Sequence, residues 1–544
     1  MMRRMQTTAA VAWLLAALVS LPQASGPRAA ADRSPHAAVA FATSHECIAC
    51  HNGLVSPAGE DVSIGTWWRA SMMAHSARDP YWQASVRRET IDHPTRAEAI
   101  EDECAICHMP MARAAARAAG RLGTVFALLG DRGVRPAGRL AADGVSCTLC
   151  HQIAAERLGT PDSFVGRFVL APGGAAMFGP FESSEGHASI MRSATGASPT
   201  AAPHITQSEI CGTCHTLYTE ALGPDGQVIG RLPEQMTYLE WRHSAFRETR
   251  SCQACHMPAV ASTPVSAVLG EPRERLARHS FLGGNFLMLG MLNRYRADLG
   301  VEALPQELDR TAAATRRQLQ TETASVAIVR AERAGDLLTA DICARNLTGH
   351  KLPSGYPARR AWLHVTVHDR NGRVTFESGA VTASGAIVGN DHDDDPTRVE
   401  PHHDEIRDPG AVQIYESVMG GADGRATTGL LQAVRFLKDN RLLPAGFDKT
   451  TVPADLAVVG GARADADFSE GGDCVRYVVA IASAPGPFTV DVELRFQPIG
   501  FRWADNLRAY GAPEARRFVS WFESMAAASS IVLARDRVEV RGAG

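Results

Sequence analysis

Ten of the twelve cysteines sit in five copies of one short string, Cys-x-x-Cys-His: Cys47, Cys50 and His51; Cys104, Cys107 and His108; Cys147, Cys150 and His151; Cys211, Cys214 and His215; Cys252, Cys255 and His256. Two residues between the thiols put both sulfurs on one side of a single helical turn, and the next imidazole projects from the same turn. This is how a c-type haem is held: the thiols add to its vinyl groups and the histidine takes one axial position on the iron. From the chain's Cys and His frequencies, roughly 0.01 copies would arise by chance. Structural zinc takes four ligands from two such pairs and has no use for a histidine after every second cysteine. A disulfide framework belongs to short chains that lack a core, and this chain has 544 residues. The pattern predicts five c-type haems, with His51, His108, His151, His215 and His256 as proximal ligands.

The other axial position decides the chemistry. A distal histidine gives a low-potential haem, a distal methionine raises the potential, and an open position exposes the iron to substrate. Fourteen of the nineteen histidines lie outside the motifs. His75, with Met72 and Met73, sits on a predicted helix before Asp79-Pro80. His187 and His204 lie in a Gly-, Ser- and Pro-rich stretch ahead of the fourth motif. His279 opens a loop in front of an apolar helix. His350, between Gly349 and Pro353-Ser354-Gly355, occupies a tight turn that could aim its ring out of the second half toward a haem. The foremost distal candidates are His279, His187, His350, His75 and Met73, with His93 and His243 behind them. The competing reading is solvated loop histidines and methionines packed on porphyrin.

One acidic stretch, Asp391 to Asp395 continuing through Glu400, His402, His403, Asp404 and Glu405, could hold calcium; a solvated acidic loop is the alternative. There is no Gly-x-Ser-x-Gly elbow, phosphate loop or dinucleotide fingerprint.

These residues need elements to position them. Residues 1–26 read as a signal peptide, with Arg3 and Arg4, an apolar run from Ala9 to Val19 and small residues after it. An uncleaved anchor is the other reading. The chain is expected to be exported, to periplasm or cell surface, with membrane contact at most peripheral. Losing Arg3 and Arg4 takes the formal charge from −4 to −6. That balance argues against nucleic acid and suits docking to basic patches on redox proteins, as electron donor and acceptor.

The predicted fold is multidomain: a mainly α and irregular multihaem domain (27–300), a helical linker (301–324) and an antiparallel, immunoglobulin-like β-sandwich domain (325–544). Helices are predicted over 65–78, 81–89, 95–109 and 281–299. Hairpins are predicted at 325–343 and at 362–378, the second turning on Asn371-Gly372. Residues 477–482 and 488–496 are predicted to pair with each other. Cys343 and Cys474, on predicted strands, form either a disulfide or two buried free thiols.

The strings Trp68-Arg69-Ala70-Ser71-Met72-Met73-Ala74, Gly144-Val145-Ser146-Cys147, Pro233 to Trp241, Cys252 to Pro258, Gly349 to Pro357 and Lys438 to Pro444 resemble exported bacterial multihaem c-type cytochromes. These are distantly like the tetrahaem electron acceptor of hydroxylamine oxidoreductase, and the larger members carry a β-rich domain after the haem domain. The resemblance implies electron transfer and names no reaction. Two readings follow: a carrier of single electrons between redox partners, or an oxidoreductase acting on a small nitrogen or sulfur compound at one five-coordinate haem. A third makes the β-rich domain an assembly module.

Overall fold

In the computed structural model, residues 41–131, 133–482 and 484–541 are described; the expected signal peptide lies outside them. Up to residue 300 the chain is a series of short helices, with a few two-stranded sheets such as Leu217–Leu222 with Val228–Gln235, and no helix there is longer than the thirteen residues of Pro80–Asp92 among the described residues. That helix shows how the sequence sets its start. Pro80 occupies the first turn, where its missing N–H is no loss, and the Asp79 carboxylate accepts from the amides of Tyr81 and Trp82. The helix expected over 65–78 stops at Arg69, and residues 71–78 run as successive turns. Their amides bond three residues back, His75 to Met72 and Arg78 to His75, so His75 and Met72 do not share one helical face.

After residue 323 mainly antiparallel sheets take over, the short Glu405–Ile406 strand alone pairing in parallel among the described strands there. A four-stranded sheet runs in the order Glu405–Ile406, Gly472–Ala480, Leu337–Asn346, Ala324–Ala334. A seven-stranded sheet runs Ala426–Thr427, Ile414–Gly421, Arg360–His368, Phe488–Gln497, Ile531–Val540, with Val374–Ser378 and Ala433–Asp439 paired alongside. Both expected hairpins form. The expected third pair does not: Gly472–Ala480 pairs with Leu337–Asn346, whereas Phe488–Gln497 pairs with Arg360–His368 and Ile531–Val540. Each strand buries one alternating face in the same core, Val475 and Tyr477 from one, Val490, Val492 and Leu494 from the other. They therefore belong to two sheets rather than lying side by side. Cys343 and Cys474 stand opposite each other in register and are disulfide-bonded.

One large apolar cluster spans both expected domains, and the expected linker is part of it. The helix Pro305–Glu322 buries Leu308 and Leu319 in the cluster that also holds Tyr81, Phe286 and Phe496, and its Glu307 pairs with Arg69. Near the C-terminus, helix Pro513–Met525 packs on Pro80–Asp92: the Phe518 ring meets Tyr81 at 5.1 Å and Glu514 pairs with Arg87 at 3.1 Å. Apolar burial runs continuously from the motif-bearing half into the sheets. No helix among the described residues is long and apolar enough to cross a membrane.

Candidate haem sites

Each Cys-x-x-Cys-His string is built on a short helix. The second ends Ala97–His108, the third begins at Cys147–Cys150, and the fifth is Cys252–His256, whose Ser251 hydroxyl accepts from the Ala254 amide. The expectation that both thiols of a motif share one helical turn is corrected at Cys50. Helix Ser44–Ile48 ends just after Cys47, and Cys50 stands in the hydrogen-bonded turn that follows. The Cys50 amide still reaches the Cys47 carbonyl at 3.2 Å, and its own carbonyl accepts from the Ala267 amide at 2.8 Å. A contact from more than two hundred residues away thus fixes this end of the motif in place of a continuing helix. Cys214 likewise falls beyond its helix, Glu209–Gly212. All ten motif cysteines, Cys50, Cys104 and Cys255 included, are free of disulfides and only partly covered, as attachment to a haem requires.

Ahead of the third motif, Gly144 lies in the left-handed region (φ 62°), and a Cβ there would come within 2.7 Å of the Met73 carbonyl. Only glycine permits that approach, which lets the Val145 amide donate to the same carbonyl at 3.0 Å.

Four of the five motif histidines donate from Nδ1 to a backbone carbonyl: His51 to Val265 (2.7 Å), His108 to Ser76 (2.9 Å), His151 to Phe178 and His256 to Leu282. A carbonyl can only accept, so Nδ1 carries the proton and Nε2 keeps its lone pair, the tautomer that serves a metal. Burial lowers the basicity of His108 and His215 to about 4, and lowers that of His151 and His256. These rings are neutral at neutral pH, as ligation requires. Trp82 stacks on His108, centroids 4.4 Å apart with planes 5° off parallel, and fixes that ring's rotation.

Two of the expected distal residues face motif histidines. His279 lies 6.3 Å from His151 between ring centroids, with planes 15° apart, and His350 lies 6.4 Å from His256 at 17°. Two imidazoles that would hold one metal ion between them, with bonds of about 2.0–2.1 Å and roughly 1.1 Å from nitrogen to ring centre, would have centroids roughly 6.2–6.4 Å apart. Both rings also donate from Nδ1, to the carbonyls of Ala277 and Lys351, each at 2.9 Å, which leaves Nε2 for the metal. His350 reaches this position from the β-rich half.

His75 is 2% exposed, and neither ring nitrogen makes a hydrogen bond of ordinary geometry, although the Arg69 backbone acts on the ring. Burial, reinforced by Arg78, lowers it to about 3. An imidazole buried without hydrogen bonds carries a desolvation penalty of about 1–3 kcal/mol unless something satisfies it, and an iron would. Met73 packs with Met111, Val145 and Leu149 beside the third motif. The expectation for His187 fails. It is half-buried on helix Glu185–Thr195, its Nε2 donating to the Leu269 carbonyl at 2.7 Å and its Nδ1 engaged with Ser184, so no lone pair is left to reach a motif. His204 donates from Nε2 to the Ile153 carbonyl, the opposite tautomer from the motif histidines. His243 donates from Nδ1 to Leu239, and the Nε2 of His93 is buried without a partner.

The motifs touch one another. The thiol of Cys47 is in hydrogen-bond contact with Cys147, Cys107 with Cys214, and Cys211 with Cys252, while Cys150 acts electrostatically on Cys211 and Cys214. Motif one thus adjoins three, three adjoins four, and four adjoins both two and five. The imidazoles agree: His151 feels His51, and His215 feels His256 and His108.

Two features have no signal in the sequence. Arg359 is half-buried beside His215, His256 and His350, donates to the Ser354 carbonyl and to Asn285 Oδ1, and has no carboxylate partner among the described residues; burial lowers it to about 10. Beneath His350, Lys351 pairs with Asp439 at 2.7 Å, and Arg441 bridges Asp439 and Glu240 at 2.8 and 2.9 Å, all four buried. Glu240 accepts from the Lys351 amide at 3.2 Å. This network clamps the turn that carries His350.

No protein-family model matches the chain, and no curated protein does. Among solved structures, a penta-heme cytochrome c552 from Thermochromatium tepidum aligns with a TM-score of 0.51 at 17% identity, over 93% of this chain and 99% of that one. The likeness is one of fold. It extends over nearly the whole of both chains.

Proposed function

We propose that this chain is an exported multihaem c-type cytochrome, of the kind distantly like the tetrahaem acceptor of hydroxylamine oxidoreductase, that carries single electrons between redox-protein partners. Haem iron supplies one-electron exchange between its oxidation states. The chain's own residues supply the rest: ten thiols for attachment, neutral Nε2 ligands held by Nδ1–carbonyl bonds, and burial that keeps water away. The observation that carries the reading is two pairs of near-parallel imidazoles, His151 with His279 and His256 with His350, each at a spacing at which the two rings would hold one iron between them. The chain of contacts linking all five motifs supports transfer from site to site. The fold shared with a penta-heme cytochrome agrees.

Haem content and the electron paramagnetic resonance spectrum of the oxidised holoprotein test this. Five haems per chain, low-spin signals throughout and no binding of cyanide or nitric oxide are expected. Replacing His279 or His350 by Ala should turn one haem high-spin in each case and leave the others unchanged. A wild-type haem that is high-spin and binds small ligands overturns the carrier reading in favour of an oxidoreductase acting on a small nitrogen or sulfur compound.

A further inference from the structure

The acidic stretch 391–405 does not gather into one site. Asp391 pairs with Arg398, Asp393 with Arg360, Glu400 with His403 and Glu405 with Arg407. Carboxylates collect instead where the loop bearing His402 meets the turn before Cys474. Oxygens of Asp465, Asp467 and Asp473 lie within 4.8 Å of one another, with His402 and Asp404 at the border. Among the described residues no Lys or Arg pairs with any of the three; the nearby Lys449 donates to the carbonyls of Ala462 and Asp465, and Lys438 pairs with Glu416.

Asp473 makes this more than a run of surface charge. Its side chain is fully buried. Oδ2 accepts from the Tyr415 hydroxyl at 2.7 Å and from Gln413 at 3.0 Å, whereas Oδ1 has no partner and faces the group, 4.0 Å from His402 Nε2. A proton on Oδ1 would have no acceptor either. A cation would satisfy the oxygen and offset the clustered charge.

The tautomer of His402 selects the kind of cation. Asn440 is oriented by accepting the Glu416 amide on Oδ1 and donating to the Ile414 carbonyl. Gln413 is oriented by accepting the His403 amide on Oε1. Both therefore present N–H groups to His402 Nδ1, at 3.0 and 2.8 Å. Nδ1 accepts, so Nε2 bears the proton and donates to Asp465 Oδ2 at 3.0 Å. His402 orients a carboxylate and has no lone pair for a metal. The donor set is oxygen alone, which suits a hard cation and not zinc or copper.

We propose that Asp465, Asp467 and Asp473 bind a calcium ion that holds together the turn preceding the disulfide-bonded Cys474. Calcium takes six to eight oxygens at about 2.3–2.6 Å, so oxygens on opposite sides of it stand about 4.6–5.2 Å apart, in keeping with the observed spread. Water or backbone carbonyls complete the shell. The proposal stands apart from the haem reading, since no motif residue takes part.

Calorimetric titration of chelator-treated holoprotein with calcium chloride tests it, with thermal unfolding in parallel. One calcium per chain and a melting temperature raised by several degrees are expected, with Asp467→Asn and Asp473→Asn each weakening binding at least tenfold while the haem spectrum is unchanged. Should Asp473→Asn fold poorly, Asp467→Asn, at a more exposed position, decides alone. No binding at millimolar calcium, or wild-type affinity in Asp467→Asn, overturns the site.

Discussion

In the β-rich half, most buried charges come with partners, Lys351 with Asp439, Lys438 with Glu416, Arg360 with Asp393, and Asp473 is an exception. Its main strands are nine to eleven residues long and close on one large apolar cluster. The motif-bearing half buries His75 with no hydrogen bond of ordinary geometry and packs short helices around small separate clusters such as Trp82–Met109–Val125 and Met111–Val145–Leu149. Its motif thiols are only partly covered. The second half answers most of its buried charges with carboxylates or ammonium and guanidinium groups. The first leaves polar ligands and apolar surfaces that a bound group would complete, as expected where haems supply much of the core.

The largest break in this comparison comes from withholding haem. Chain produced without haem attachment should lose amide-exchange protection over 41–300 by orders of magnitude, while strands such as Arg360–His368 and Phe488–Gln497 stay protected. Hydrogen-exchange mass spectrometry of the two forms reads this directly. Equal protection of both halves without haem would show that the first half needs no cofactor to fold.

Next in size is the buried network under His350. Burial alone would raise Asp439, yet Arg441 and Lys351 hold it well below the usual carboxylate range. Its stabilisation is therefore full above an ordinary carboxylate pKa of about 3.9 and fades only as pH falls toward the lower folded value. Asp439→Ala leaves Lys351 and Arg441 with Glu240 alone, and such a break is expected to cost about 3–5 kcal/mol. Denaturant unfolding at pH 6 and pH 8 should give the same loss. A loss under about 1 kcal/mol would mean that water reaches the network.

Legibility in the sequence also differs between the halves. The attachment sites are written as contiguous strings and need no tertiary knowledge, although the turn that holds Cys50 does, because the Ala267 amide that fixes it comes from a distant loop. His279 and His350 could be picked out because each sits at a loop or turn beside an element that holds it still. His187, in equally loop-like surroundings, could not be excluded, since the helix that holds it depends on Ser184 capping and on a contact with Leu269. Strand partners around Ala482–Phe488 were illegible for a different reason: alternation marks a buried face but not which sheet receives it. The acidic stretch misled because its charges are answered largely by arginines, one of them in a separate strand, while the carboxylates that do converge come from positions some sixty residues later.

A smaller effect sharpens the view of how the halves meet. Glu89 leaves the motif-bearing half to accept from the amides of Leu430 and Leu431. Burial raises its carboxyl to about 7, with Arg88 opposing. Between about pH 4.5 and 7 the folded chain binds more protons than the unfolded one, so this group's contribution to stability falls as pH rises, by at most roughly 3 kcal/mol. Glu89→Gln should flatten that part of the slope. Unfolding midpoints compared at pH 5 and pH 8 give the answer: an unchanged slope would place the Glu89 carboxyl in water.

The smallest effect concerns Arg359, where the β-rich half places a charge among the imidazoles of the other half. Gly355, in the left-handed region at φ 85°, lets the guanidinium lie close against the backbone, 3.1 Å from where a Cβ would stand. With no carboxylate to neutralise it among the described residues, this cation favours an added electron on the nearest iron, and low local dielectric strengthens the effect. Arg359→Gln keeps the donor to Ser354 or Asn285 but removes the charge. It should lower the midpoint potential of one or two haems by some tens of millivolts, about 59 mV being tenfold in a one-electron equilibrium, and leave the haem count unchanged. Spectroelectrochemical titration resolves such a shift. Potentials that do not move would mean that a haem propionate already neutralises Arg359, so that its charge positions the haem rather than tuning it.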